Sequence, residues 1–297
     1  MNAVEVLMGI QLVFSAAVLG YGARLDWKTR KVSNKYWMAL SLGAVAFVAA
    51  RVLLDDEPIE FLAILIPIAA ILSDVYIDSD GEGAFARHAP ALKYGLAIAT
   101  TAILGYLWSD SDYFVYLLTI PIMMLAFVLM YMLDIIRGGA DAKALIALAV
   151  TFPFYPHIGS LPIIQAADPI GELVFPFAFI VLVNAAIVVV FVPIVFLFKN
   201  LMAGDMRFPQ AVLGHRVAVG EARGRFVWLM ERIVDGKHVT YTKPKRDEDL
   251  DTELDLLAKA GIEKVWVTPK IPFIIPIFVS LILTAVVGNI LLLLMPL

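Results

Sequence analysis

The sequence predicts an all-α polytopic membrane protein of about eight transmembrane helices, with one small cytoplasmic α+β insertion. Three observations lead there. The 297 residues are 61% hydrophobic and 17% charged, whereas a soluble domain carries roughly 45–50% apolar and 25% charged residues. The runs Tyr113–Leu133, Val174–Phe198 and Ile271–Leu297 hold no charged side chain, and each reaches the ~20 residues that a helix needs to cross ~30 Å of hydrocarbon. Only the block Lys199–Lys270 has soluble composition.

Taken in order, the apolar runs place spans near Val4–Ala23, Tyr36–Leu54, Ile59–Ile77, Ala91–Trp108, Tyr113–Leu133, Asp141–Pro156, Leu173–Phe198 and Ile271–Met295. Glu60 and Asp74 interrupt the third, and Pro153, Pro156 and Pro162 crowd the end of the sixth, so seven to nine helices stay open. Met1–Ala23 lacks a basic start and runs into Arg24 and Lys28 rather than a small-residue cleavage site. The first helix is therefore expected to stay. These runs divide the chain into a helical bundle (1–198), a soluble domain (199–270) and a final helix (271–297).

The basic residues set the orientation. With the first loop in the cytoplasm, Arg24, Lys28, Arg30, Lys31, Lys35, Arg87, Lys93, Arg137 and Lys143 all lie at inner short loops, and Arg51 alone lies outside. That satisfies the positive-inside rule, with both termini outside and the soluble block inside. The net charge of −4 says little about a partner, because position governs electrostatics in a membrane protein. Within the soluble block, Asp235-Gly236 marks a hairpin turn between Phe226–Val234 and Val239–Thr242, although Phe226–Ile233 reads equally as helix. Asp249–Ala260 reads as a helix with Leu254, Leu257 and Ala258 on one face and Gly261 as its stop, followed by a strand at Lys264–Thr268. Its basic residues solvate it or face anionic lipid; nothing points to nucleic acid.

There is no cysteine, which removes disulfides, Cys-ligated zinc, iron–sulfur clusters and thiol nucleophiles. Chemistry must come from ionisable groups at the hydrocarbon boundary, where each costs from about 2.5 kcal/mol upward. The acids so placed are Asp26, Asp74, Asp134 and Asp141. Asp26 ends the first span and Asp141 opens the sixth, so the orientation above puts both at the cytoplasmic face. Paired carboxylates can activate a water: one takes its proton while the other donates to the carbonyl under attack. The same two residues read equally as helix caps or solvated boundary groups.

The local sequences separate these readings. Asp26 is followed by Thr29, Ser33 and Asn34, and Asp141 is preceded by Gly138, Gly139 and Ala140. This combination resembles the type IV prepilin peptidase family of membrane aspartyl proteases, with its Asp-x-x-Thr then Ser-Asn motif and its Gly-x-Gly-Asp motif. Ala140 in place of the second glycine, and Val265–Pro276 leading from the soluble block into the last helix, are similar to the archaeal preflagellin and prepilin peptidase branch. The resemblance implies cleavage of the short charged leader of a prepilin or prearchaellin at the cytoplasmic boundary, with Asp26 and Asp141 catalytic and no metal or organic cofactor. It assigns Gly138, Gly139, Ala140, Thr29 and Asn34 to substrate approach and support, while Lys143, two positions after Asp141, is placed either to reach that carboxyl and stabilise its charge or to snorkel to the interface. Bacterial members carry a cysteine-rich zinc segment and methylate the new N-terminus; the absence of cysteine sets this chain apart from them. The two aspartates stand about two spans farther apart than in the compact archaeal members. Oligomeric state leaves no mark in the sequence.

Asp78-Ser79-Asp80-Gly81-Glu82-Gly83 resembles the start of a calcium loop without the closing ligands and reads as a solvated acidic turn; with Asp74, these acids would attract a basic leader. Asp134 is expected to cap or to pair with Arg137, and His88, His157, His215 and His238 are too scattered for a metal motif. Pro90-Ala91-Leu92 matches a presenilin motif but precedes Asp141 and reads as a proline-started helix. The competing functions are a secondary transporter coupling ions through boundary acids, a presenilin-like protease, and a non-catalytic assembly partner.

Overall fold

The computed structural model describes residues 2–77, 84–165, 169–242 and 249–293. The chain forms two compact units, Met1–Ala186 with Pro272–Leu297, and Ile187–Ile271. Among the described residues, Ala3–Thr29, Asn34–Leu54, Ile59–Tyr76, Asp112–Met132 and Phe177–Ala203 are long and apolar enough to cross a membrane, and Ile274–Val286 is a shorter apolar helix. The protein is a helical, polytopic membrane protein with a small sheet-bearing insertion.

In the first unit, α1 (Ala3–Thr29) starts at Asn2, which forms a capping box with Glu5. Next come α2 (Asn34–Leu54), a 3₁₀ turn over Ile59–Ile64, α3 (Leu65–Tyr76), α4 (Ala84–Leu107) and α5 (Asp112–Met132), whose N-cap Ser111 accepts from the Phe114 amide. Then α6 (Gly139–Thr151), α7 (Pro169–Val174) and α8 (Phe177–Val190) follow, and α13 (Ile274–Val286) closes the unit after the insertion.

Four expectations are corrected here. α4 begins well before Ala91, so Pro90 lies inside the helix instead of starting it. The single span expected over Leu173–Phe198 is broken after Val174, ahead of Pro176, which cannot donate a helical hydrogen bond. The sixth helix stops at Thr151, short of the Pro156 end expected for it, because the chain turns at Phe152 ahead of Pro153. The last helix stops at Val286 rather than near Met295. Gly288 takes φ +101°, and its backbone lies so close to the Ile164 carbonyl that a Cβ would overlap it.

Helix α6 is the centre of this unit. Ala142, Ala144, Ala147 and Ala149 alternate with Leu145, Ile146, Leu148 and Val150, and all are buried. Small side chains let α2 and α5 approach its backbone closely. It runs antiparallel to α1, with Gln11 Nε2 donating to the Thr151 carbonyl (3.3 Å) at the end remote from Asp141. At that remote end Phe152 and Tyr155 pack around Phe177, and the Ile163 and Ile164 amides donate to the Val286 and Val287 carbonyls. The fully buried Asn184 ties α8 to α13, donating to Thr284 Oγ1 (2.9 Å) and the Gly288 carbonyl (3.2 Å).

The second unit holds α9 (Val192–Ala203), α10 (Gln210–Leu213), β1 (His215–Ala218), α11 (Val219–Ala222), β2 (Val227–Leu229), β3 (Glu231–Val234), β4 (Lys237–Thr240), α12 (Leu250–Lys259) and β5 (Lys264–Pro269). β5 is the centre of an antiparallel sheet ordered β1-β5-β2, with His215 opposite Val267 and Val227 opposite Pro269. The Asp235-Gly236 turn closes the β3–β4 hairpin, both residues at positive φ as a two-residue hairpin requires. Phe226–Ile233 is not helix, and the one hairpin strand expected over Phe226–Val234 is two: β2 joins the three-stranded sheet, and only β3, after the bend at Met230, pairs with β4. Asp249 caps α12, Leu254 and Leu257 are buried under the sheet, and Gly261 ends the helix at φ +79°. Ala258, expected on the same face, is exposed.

The His215 ring is nearly buried against Phe196 (5.8 Å between centroids). Burial, reinforced by Lys199 and Arg225, holds its pKa below the ordinary histidine value. The folded state therefore favours neutral His215. Its stability contribution is full above the unfolded value near ~6.5 and falls as pH drops through and below it. Acidification from pH 7.5 to 5 should lower the unfolding midpoint of the detergent-solubilised protein, and His215→Gln should reduce that loss. In the first unit, Asn184→Ala should cost about 1–3 kcal/mol by leaving Thr284 and the Gly288 carbonyl without their donor. Gly288→Ala should destabilise through its backbone conformation. Thermal and denaturant melts of the two variants against the parent check both.

Candidate active site

Asp26 lies in the last turn of α1, where the carboxylate faces the negative end of the helix dipole. Two features offset that. The backbone amide of Ile274, the first residue of α13, and the charge of Arg30 both favour the ionised Asp26 carboxyl. α1 stops just beyond. Arg30 is left-handed at φ 55°, with its amide on the Asp26 carbonyl, and Thr29 Oγ1 satisfies the Leu25 carbonyl (2.9 Å). Thr29 thus shapes the helix end and stays within its own segment.

Asp141 lies in the first turn of α6, where unpaired amides and the dipole favour an anion. Gly138 is the N-cap, and the Asp141 carboxylate folds back over it so closely that a Cβ would overlap the carboxyl. This is the physical reason for a glycine three positions before the aspartate. Gly139 lies against the Tyr131 hydroxyl, and Ala140 is partly buried on the main core. The Asp26 and Asp141 carboxyls interact electrostatically across 115 positions of sequence.

Lys143 does not turn to Asp141. Its ammonium donates to Asn34 Oδ1 (2.9 Å), at the first residue of α2, and stands over the Tyr76 ring (5.9 Å). Asn34 of the first motif and Lys143 of the second are thereby joined, and the starts of α2 and α6 are held together. Ser33 precedes α2 without a side-chain cap.

The remaining candidates fall elsewhere. Asp134 occupies a turn at φ 58°, is 77% exposed, and pairs with Arg137 (3.5 Å), as its sequence position suggested. Asp74 pairs with Lys93 (3.5 Å) behind α6. His157 meets Glu172 (2.8 Å) and His238 meets Glu231 (3.2 Å); among the described residues no three histidine or acidic side chains form a metal-holding group. The acidic turn Asp78–Gly83 lies outside the described residues. Sequence reasoning missed the Ile274 amide and Tyr76. Ile274 had a visible signal in the Pro272-Phe273 approach to an apolar run; Tyr76 had none.

Comparison with known proteins matches residues 206–290 to the family described as Archaeal Peptidase A24 C-terminus Type II. A preflagellin peptidase of Methanococcus maripaludis is 29% identical over 188 residues, covering 60% of this chain and 75% of that protein. The preflagellin peptidase of Methanococcus voltae is 27% identical over 205 residues, 66% of this chain and 83% of its own length. That of Methanocaldococcus jannaschii is 29% identical over 161 residues, 51% and 63% respectively. The insertion-to-C-terminus region and most of the length of two relatives thus make this chain similar to archaeal preflagellin peptidases.

Proposed function

We propose that the protein is an aspartic endopeptidase that removes the short charged leader from a prearchaellin (preflagellin) or a type IV prepilin-like substrate. The observation that supports this reading is the electrostatic interaction of the Asp26 and Asp141 carboxyls, one in the last turn of α1 and the other in the first turn of α6. The relatives' name, preflagellin peptidase, supplies the substrate class.

In the reaction, one carboxylate takes a proton from a water as the water oxygen attacks the scissile carbonyl. The other, as carboxylic acid, donates to the carbonyl oxygen. The tetrahedral intermediate then collapses, the C–N bond breaks, and the new amine leaves with a proton returned by the pair. The Ile274 amide orients Asp26, and Gly138 makes room for the Asp141 carboxyl. The Lys143–Asn34 bond keeps the two motifs together. Gly139 and Ala140 present little side chain to an approaching backbone. The distribution of basic residues supports a multi-pass protein of the cell membrane, with site and soluble insertion (199–270) facing the cytoplasm and both termini outside. The substrate's apolar segment would pack among the helices of the 1–198 bundle.

Purified protein and a prearchaellin-type substrate test the assignment. Asp26→Asn and Asp141→Asn should each lower cleavage by about a thousandfold or more while the melting midpoint stays near that of the parent. Full cleavage by either variant would remove that residue from the pair. Gly138→Ala should cost roughly ten- to a hundredfold in kcat, because a small displacement of the Asp141 carboxyl spoils its alignment with water. A parent-like kcat in that variant would show that the close approach of Gly138 has no catalytic consequence.

A further inference from the structure

The second unit has an apolar helix of its own. α9 ends the apolar stretch Phe177–Ala203, and Ile194, Val195, Phe198, Leu201 and Met202 along it are exposed, a continuous apolar face of the kind that meets lipid. Its last turn is locked to the chain beyond. The buried Asn200 donates to the Ala211 carbonyl (2.8 Å) and to the Gly214 carbonyl (2.7 Å), and Gly204 ends the helix at φ +73°. The residues that follow are therefore held at the level of the helix end. Among them Met206, Arg207 and Phe208 are all exposed, an arginine between two apolar side chains, as suits a segment at the boundary of a bilayer.

At this level a cavity of about 270 Å³ opens, with Asp205, Arg207, Arg216, Glu231, His238 and Trp266 in its wall. Arg216 and Trp266 face each other across the β1–β5 ladder. Each acid already has a donor: Asp205 takes Arg216 at 3.2 Å, and Glu231, 3% exposed, meets His238 at 3.2 Å. Arg216 gives one further N–H to the Lys264 carbonyl (3.2 Å), so two of the five donors of a guanidinium are in use. Arg207 is the charged side chain of this wall without a partner among the described residues. The cavity thus lacks an acceptor with several oxygens, and the planar fork of a guanidinium matches a phosphate. Its volume is below the ~300–1,000 Å³ of ordinary small-molecule sites, which suits a single headgroup.

We propose that this cavity takes the phosphate of an anionic phospholipid from the adjoining leaflet. Arg207 carries the phosphate, the free N–H groups of Arg216 stand beside it, and Met206 and Phe208 enter the acyl boundary around it. The inference goes beyond the peptidase reading and does not depend on it. A phosphate held there pins the sheet of the second unit to the membrane face through β1 and β5.

Purified full-length protein in neutral detergent, titrated with phosphatidylglycerol or phosphatidylcholine in mixed micelles and followed by the rise in its melting midpoint, tests the site. Phosphatidylglycerol should bind about tenfold or more tightly than phosphatidylcholine, whose headgroup carries no net charge. Arg207→Gln should remove most of that difference while the lipid-free midpoint stays at the parent value, and Arg207→Lys should restore part of it. Joint replacement Met206→Ser and Phe208→Ser should weaken the lipid and leave glycerol phosphate, the headgroup without chains, unaffected. Equal binding of the two lipids, or a parent-like preference in Arg207→Gln, overturns the site. Glycerol phosphate binding as tightly as phosphatidylglycerol, with no loss of lipid in the doubly replaced variant, overturns the lipid assignment in favour of a free phosphate.

Discussion

A carboxyl group at the edge of a hydrocarbon layer persists only where hydrogen-bond donors, counter-charges or helix dipoles meet it. The architecture of the helical unit follows from satisfying that condition for two carboxyls in one place. α1 delivers Asp26 at an unfavourable helix end, so another helix must begin there, and α13 does, with the Ile274 amide. α6 delivers Asp141 at a favourable end, but the carboxyl needs the space that Gly138 leaves open. Three helix termini therefore meet at one point.

The packing around α6 is the mechanical counterpart. A helix of alternating alanine and larger aliphatic residues, buried on nearly all sides, has little freedom to rotate, so the direction in which Asp141 points is set by close contact along the whole helix. The Lys143–Asn34 hydrogen bond adds a polar fixture at the exposed end, where packing is thinnest.

Much of this was legible in the sequence for local reasons. Apolar runs located α2 and α5 and the start of α1 within two residues, while α1 continues six residues past the expected Ala23. Asp235-Gly236 specified its hairpin because few dipeptides tolerate two positive φ values in succession. Asp249 marked the start of α12 and Gly261 its end. The candidate aspartates could be named because an acid at the apolar boundary is rare. What stayed hidden depends on partners distant in sequence. Pro90 inside α4 looked like a helix start because propensity alone cannot register the neighbours that stabilise a continuing helix. The early end of α13 depends on Ile164 approaching Gly288. The placing of Lys93 beside Asp74 depends on how α3 and α4 pack together.

The antiparallel register of α1 and α6 has a consequence for water. α6 has 13 residues, about 20 Å at 1.5 Å per residue, and reaches from the level of Asp26 only to that of Gln11. The first two turns of α1 continue past it. Non-helical chain occupies the space beyond, tolerable at that depth only when other parts of the protein satisfy its backbone. Phe152, Tyr155 and Phe177 fill it, and the amides of Ile163 and Ile164 are taken up by the end of α13. That pole of the bundle is thereby closed to water, and it is the pole remote from Asp26 and Asp141.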